Sequence, residues 1–276
     1  MNKPRKNIPT LLAIFILIFG IASGIILLNS KQIFRLGAKE DTGPKYVTVS
    51  NIDDNHFSIS FITPDPTRSY IKVGGDKYFL TESQIIRNNE KSSTHYFDVN
   101  GLEPDKDYYY YINTNGSDYF TDNIKNVKTG SKISTNPDSK IIYGKVYSKS
   151  GEEQAGAIVY VQVGNGSLLS SITGENGDFI ITLSKAREND MSTYINIDPD
   201  KTTIQVVIQY GELTSSVTSY LQSSQPLPPI ILGNNQDIRN AQTLPNYFDL
   251  PTSGVQGTST KFNNYPFLIK DMFIEK

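Results

Sequence analysis

The run "HYFDVNGLEPDKDYYYYI", His95 to Ile112, decides how this chain is read. Its residues alternate in polarity on both sides of a turn. Side chains on a strand point to opposite faces in succession, so a period of two is the mark of β-structure. Phe97 and Val99 share an inward face, and Tyr96 and Asp98 an outward one. After the turn, Tyr108, Tyr110 and Ile112 point inward, and Tyr109 and Tyr111 point outward. The four consecutive tyrosines therefore divide between two faces of one strand, and only Tyr109 and Tyr111 are candidates to meet a ligand.

The same pattern extends to either side. "KYVTVSNI" precedes "HFSISFIT", in which Phe57, Ile59 and Phe61 lie on one face. "RSYIKVGG" ends on Gly74-Gly75, and a last run closes at "VKTG". Short alternating runs with turn residues roughly every eight to twelve positions predict a β-sandwich. Asn115-Gly116-Ser117 and Asn165-Gly166-Ser167 fit a glycosylation consensus, but Asn-Gly is first a hairpin signal.

Within this run, Leu102, Pro104 and Tyr108 reproduce the spacing L-x-P-x-x-x-Y. Over Lys45 to Gly130 the chain resembles a fibronectin type III domain, in which that motif joins the fifth strand to the sixth. The resemblance implies a structural corner of Leu102, Pro104 and Tyr108, with the Tyr hydroxyl returning to the upstream main chain. Type III-like modules of this kind occur in bacterial surface proteins and beside purple acid phosphatases. Phe61 stands where the family usually has tryptophan. The type III topology also puts Tyr96 on a different sheet from Tyr109 and Tyr111.

"SKISTNPDSK", Ser131 to Lys140, is polar, contains Pro137 and reads as a linker. Beyond it stand Gly144 and Val146, Gly151, then Gly156, Ala157, Val159 and Val161, then Thr173, Gly177 and Phe179. Their order resembles the carboxypeptidase regulatory-like and collagen-adhesin B-type modules, which implies a second, prealbumin-like sandwich over 141–232. Gly151 and Gly177 are expected in turns, and Phe179 in the core beside Val159 and Val161. "TTIQVVIQY" and "LTSSVTSYL" add strands joined at Gly211-Glu212. "SKARENDMSTYINIDPDK", which precedes them, is expected as a polar surface excursion. Lys145 alternates opposite Val146 and so faces solvent, which disfavours the isopeptide staple of the collagen-adhesin relatives.

The N-terminal segment carries Lys3, Arg5 and Lys6, then no charge until Lys31, and Leu11 to Leu28 is almost wholly apolar. About twenty such residues in a helix match a hydrocarbon core of about 30 Å. A cleaved signal peptide is the rival, with Gly20-Ile21-Ala22 as its site. The apolar run continues through Ile25 to Leu28, which favours an uncleaved anchor. The expected organisation is a cytoplasmic N-terminus and transmembrane helix over 1–30, with residues 8–28 in the bilayer. A stalk over 31–44, sandwiches over 45–130 and 141–232, and an extended or disordered tail over 233–276 complete it. Orientation is not strongly set by charge, because Lys31, Arg35 and Lys39 follow the span. Leu250-Pro251-Thr252-Ser253-Gly254 resembles a sortase signal but lacks the apolar span and basic end that should follow it. "YPFLIKDMFI" in the tail is apolar enough to dock on a partner or on the chain's own domains.

Composition limits function. The 276 residues carry a net charge of −2, and no basic stripe beyond the N-terminus suits phosphate, so nucleic acid is not expected as a partner. No cysteine is present, which excludes disulfides and thiolate chemistry. His56 and His95 are the two histidines. Asp53-Asp54, Asp105 with Asp107, and Asp198 with Asp200 lack the spacing of a dedicated calcium loop and read as turn residues. No phosphate-binding loop, nucleophile elbow or zinc-protease motif occurs. The expectation is an all-β, single-pass cell-membrane protein, non-enzymatic, without cofactor or metal, with two tandem β-sandwich domains outside. Its role would be structural, adhesive or display, with an extracellular protein or glycan as partner. The alternative is a non-catalytic, substrate- or carbohydrate-binding subunit of an extracellular hydrolase.

Overall fold

The computed structural model describes residues 41–239, except 79, 81–83 and 136; for residues 84–89 it describes the backbone. The expected membrane segment 8–28 and the tail beyond Arg239 lie outside the described residues. The fold is all-β, with fourteen strands and no α-helix among the described residues.

The first half is organised by one long hairpin. β1 (Lys45–Ser50) pairs with the start of β2 (His56–Gly74), and β2 pairs along its length with β3 (Gln84–Asn100). The end of β2 pairs with β4 (Asp107–Thr114), which carries β5 (Ser117–Tyr119) and β6 (Lys125–Lys128) on its other side. The sequence runs "HFSISFIT" and "RSYIKVGG" both fall within β2. Pro64 and Pro66 between them have no N–H to give a ladder, and the register slips there between Ile62 and Thr67 and again before Ser69. The prolines thus bulge the strand without ending it, and β2 exchanges β1 for β4 as its neighbour. Asn115 (φ 48°) and Gly116 (φ 84°) make the β4–β5 turn, with both residues in the left-handed region that a two-residue hairpin requires. Phe57, Ile59, Phe61, Phe97, Val99, Tyr110 and Ile112 fill one apolar cluster.

The second half has two sheets. β7 (Ile141–Tyr147) lies between β10 (Asp178–Thr182) and β13 (Ile230–Ile231). Opposite it run β14 (Asn235–Asp237), β12 (Leu213–Ser219), β11 (Ile204–Tyr210), β8 (Ile158–Val163) and β9 (Leu169–Ile172), in that order. Val159, Val161, Phe179, Val206 and Ile230 share the cluster between the sheets. Phe179 lies across Gly144 of the paired strand; a Cβ on Gly144 would stand 3.3 Å from its ring. Gly177 turns at φ +71°, where a Cβ would come within 2.5 Å of Val146 O.

Two boundaries differ from those read in the sequence. The fold continues past Leu232: β14 pairs in parallel with β12, and Ile238 is buried in the core. The stretch containing Arg187 is a surface excursion only in part. Leu183 and Ala186 are wholly buried and Ile197 nearly so, because all three side chains join the second cluster. Alternation along "ARENDMSTY" is too irregular to show that burial.

Candidate functional site

At the corner, Glu103 N–H donates to Tyr108 Oη at 2.9 Å. Thr129 Oγ1 donates to Glu103 O at 2.6 Å and receives Lys106 N–H at 3.0 Å, so the turn is held from both sides. Leu102 is buried in the first core, and Pro104 is exposed. Asp105 adopts φ 56°, a conformation that Asp tolerates better than most residues.

Along β4, Tyr108 and Tyr110 are buried, while Tyr109 and Tyr111 are partly exposed. Burial pushes the Tyr110 hydroxyl up to about 12. Tyr109 stands opposite Gly74 on β2 and Asn126 on β6. Tyr111 stands opposite Lys72, whose Nζ lies 5.9 Å from its ring centroid. Partial burial, then Asp118 and a hydrogen bond with Tyr70, raise the Tyr111 hydroxyl above its ordinary value. The structure thus gathers Tyr109 and Tyr111 with Tyr70 and Lys72 on one face, and Tyr96 is not among them.

Tyr96 lies instead where the two halves meet. Part of the outward face of β2 is not solvated: Ser58 and Ser60 have 0% exposure. They are covered by the second half, whose β8 is buried on both faces. Ser60 Oγ and Tyr160 Oη lie 2.8 Å apart, and Ser50 Oγ and Ser170 Oγ 2.6 Å. Asn51, at φ 53°, bridges the halves. Its N–H donates to Leu168 O at 2.8 Å, and its Nδ2 reaches Tyr96 Oη at 2.9 Å and Ser170 O at 3.0 Å. A small apolar cluster of Ile158, Tyr160 and Val207, with Tyr96 and Leu168 against it, accompanies these bonds.

Arg187 closes the far side. It is the largest fully buried side chain among the described residues. Its guanidinium is paired with Asp53 and lies 3.9 Å from Asp54. Its Nη1 donates to Ser131 O at 2.6 Å and to Met191 O at 3.0 Å, and its Cζ lies 5.6 Å from the Tyr194 ring centroid. Gly130 leaves room for it, since a Cβ there would meet Arg187 Cζ at 3.0 Å. Burial alone would raise the Asp53 carboxyl; the Asp54 N–H and Arg187 outweigh it and hold Asp53 below the usual range. Sequence reading singled out neither Arg187 nor Asn51. Arg187 and Asp53 are 134 residues apart, and no local periodicity links them.

The two histidines serve separate places. His56 Nε2 lies 3.3 Å from Asp98, whereas His95 is wholly buried, stacked on Phe61 at 4.6 Å, with Nε2 3.0 Å from Thr63 Oγ1. Desolvation lowers His95 to about 4, so it is neutral at pH 7. Among the described residues there is no group of three or more His, Cys, Asp or Glu side chains that could hold a metal ion. No helix among them is long and apolar enough to cross a membrane.

No protein-family model matches the chain, and no curated protein does. Among solved structures it is similar to a structure of PhoD, at 15% identity and a TM-score of 0.28, over 41% of this chain and 24% of that one. The sensor domain of the anti-sigma factor RsgI4 in Pseudobacteroides cellulosolvens matches at 12% identity and a TM-score of 0.27, over 35% of this chain and 100% of that one. The central fibronectin-III array of RIM-binding protein matches at 13% identity and a TM-score of 0.21, over 61% and 58%. The chain thus spans about a quarter of the PhoD chain it matches. At these TM-scores none of the three assigns a family or a function.

Proposed function

We propose that this chain is a membrane-anchored cell-surface protein with a structural, adhesive or display role. Residues 8–28 cross the bilayer, a fibronectin type III-like module spans 45–130, and a carboxypeptidase regulatory-like module follows the 131–140 connector. The observation that supports this reading most directly is the joint between the halves. Asn51, Tyr96, Ser170 and Arg187 are spent on holding one β-layered half against the other. Two modules joined in tandem in this way, whether the joint is closed or open, suit a spacer between an anchor and a displayed surface.

The test is topological. Intact cells expressing the chain are treated with an external protease, and membranes are extracted with alkaline carbonate. Cleavage within 45–232 from outside, with the chain retained in the membrane until residues 8–28 are deleted, is the expected result. A chain released by carbonate, or protected from outside, would defeat the reading.

A second reading, as a non-catalytic carbohydrate-binding subunit, is favoured by the Tyr109, Tyr111, Tyr70 and Lys72 face. Partly exposed rings beside a cation suit stacking on sugar rings. Glycan-array binding by the full chain that is lost in Tyr109→Ala with Tyr111→Ala, while folding is kept, would select it.

A further inference from the structure

The two halves meet through a surface unlike either core. Each core is filled by aliphatic and aromatic side chains. Between the halves, Ser50, Asn51, Ser60, Tyr96 and Ser170 exchange hydrogen bonds, and the apolar part is confined to Ile158, Tyr160, Val207 and the two residues packed on them. Such groups lose little on separation, because water replaces their partners. Polar contacts of this kind are typical of surfaces that move relative to one another.

Two further observations favour an open state. Gln209 shares the face of Val207 by strand alternation and is wholly buried, yet neither its Oε1 nor its Nε2 has a partner; Arg187 Nε has none either. A buried polar atom without a partner is costly when closed and satisfied by water when open. The described residues of the connector 131–140 contain no strand, so among them nothing in the sheets continues from one half to the other.

We propose that the joint is a reversible latch, closed by Arg187 on Asp53, that opens as a unit while both cores remain folded. In the closed state Asn51 caps the outer edge of β9, taking the Ser170 N–H and giving its own N–H to Leu168 O. Opening uncovers the Ile158, Tyr160 and Val207 face and frees this strand edge, a template for pairing that proteins ordinarily keep covered. The latch is a property of residues 41–239 and does not depend on the anchor, so failure of one reading leaves the other standing.

Three amides report on the joint: those of Asn51, Ser170 and Gly211, the last donating to Thr94 Oγ1 across it at 3.2 Å. Amides at Val161 and Ile208, on core strands, report on global unfolding. The test is hydrogen exchange on the full chain in detergent micelles. Wild-type joint amides are expected to exchange at least about tenfold faster than the core amides. The chain has no native cysteine, so Ser50→Cys with Ser170→Cys gives a single designed disulfide. Closing it should slow the joint amides about tenfold and leave the core unchanged, reversibly on reduction. Arg187→Met should speed the joint amides alone. Equal protection of joint and core in the wild type, loss of both together in Arg187→Met, or a designed pair that does not close or has no effect would each overturn the latch.

Discussion

Asn51 and Ser170 bond each other as two strand residues would, although 119 positions separate them in sequence. Ser170 N–H donates to Asn51 Oδ1 at 2.8 Å, and Asn51 Nδ2 returns a bond to Ser170 O at 3.0 Å. One amide side chain thus imitates a backbone and satisfies the edge of β9. Asn is suited to the place twice over, because its φ of 53° is one that Asn tolerates better than most residues.

Asn51→Gly keeps that backbone conformation and removes the side chain. It leaves the Ser170 N–H without its partner and the Ser170 carbonyl with Tyr96 Oη, so it should destabilise the joint by about 1–3 kcal/mol. Chemical denaturation of the full chain measures this. A midpoint equal to that of the wild type would mean that water replaces Asn51 without loss.

At the corner, Tyr108 Oη accepts the Glu103 N–H. Tyr108→Phe retains the ring in the core and deletes only the acceptor, and should cost about 1 kcal/mol. The melting temperature should fall by several degrees; no change would mean that Glu103 finds another acceptor. Pro104 is exposed, so a substitution there acts through the backbone of the turn.

The period-two pattern of β4 was legible in full, since Tyr108, Tyr110 and Ile112 are buried while Tyr109 and Tyr111 are partly exposed. A strand's facing depends on its own residues. What covers the other face depends on residues far away, and there alternation is silent: Ser58 and Ser60, opposite the face of Phe57, Ile59 and Phe61, have 0% exposure. Arg187 was missed for the same reason, because an arginine among polar neighbours looks solvated until Asp53 is brought against it. β14 was missed because a three-residue edge strand carries almost no pattern.

Gln209 offers a gain in stability. Both ends of its amide are buried without a partner. Gln209→Met is close in length and removes both unsatisfied atoms, so it should stabilise the closed form by about 1 kcal/mol or more. A lower melting temperature for Gln209→Met would show that the amide is bonded through a buried water.

His95 makes folding pH-dependent in a defined direction. Buried on Phe61, it is lowered from 6.5 to about 4 by desolvation. The unfolded chain therefore takes up this proton first as pH falls. Its contribution is fully present above about 6.5, declines below that, and is spent once pH passes about 4. A shift of this size corresponds to roughly 3 kcal/mol. His95→Gln has no such titration, so the stability difference between wild type and variant should change by that order between pH 7 and pH 4. Denaturation midpoints at pH 7, 5.5 and 4 for both proteins measure it. Parallel curves would mean that burial does not shift His95, and Asp53 and Asp98 could not account for acid sensitivity in this range. Both carboxyls are held below their ordinary value, so they lose their stabilising charge only below the His95 window.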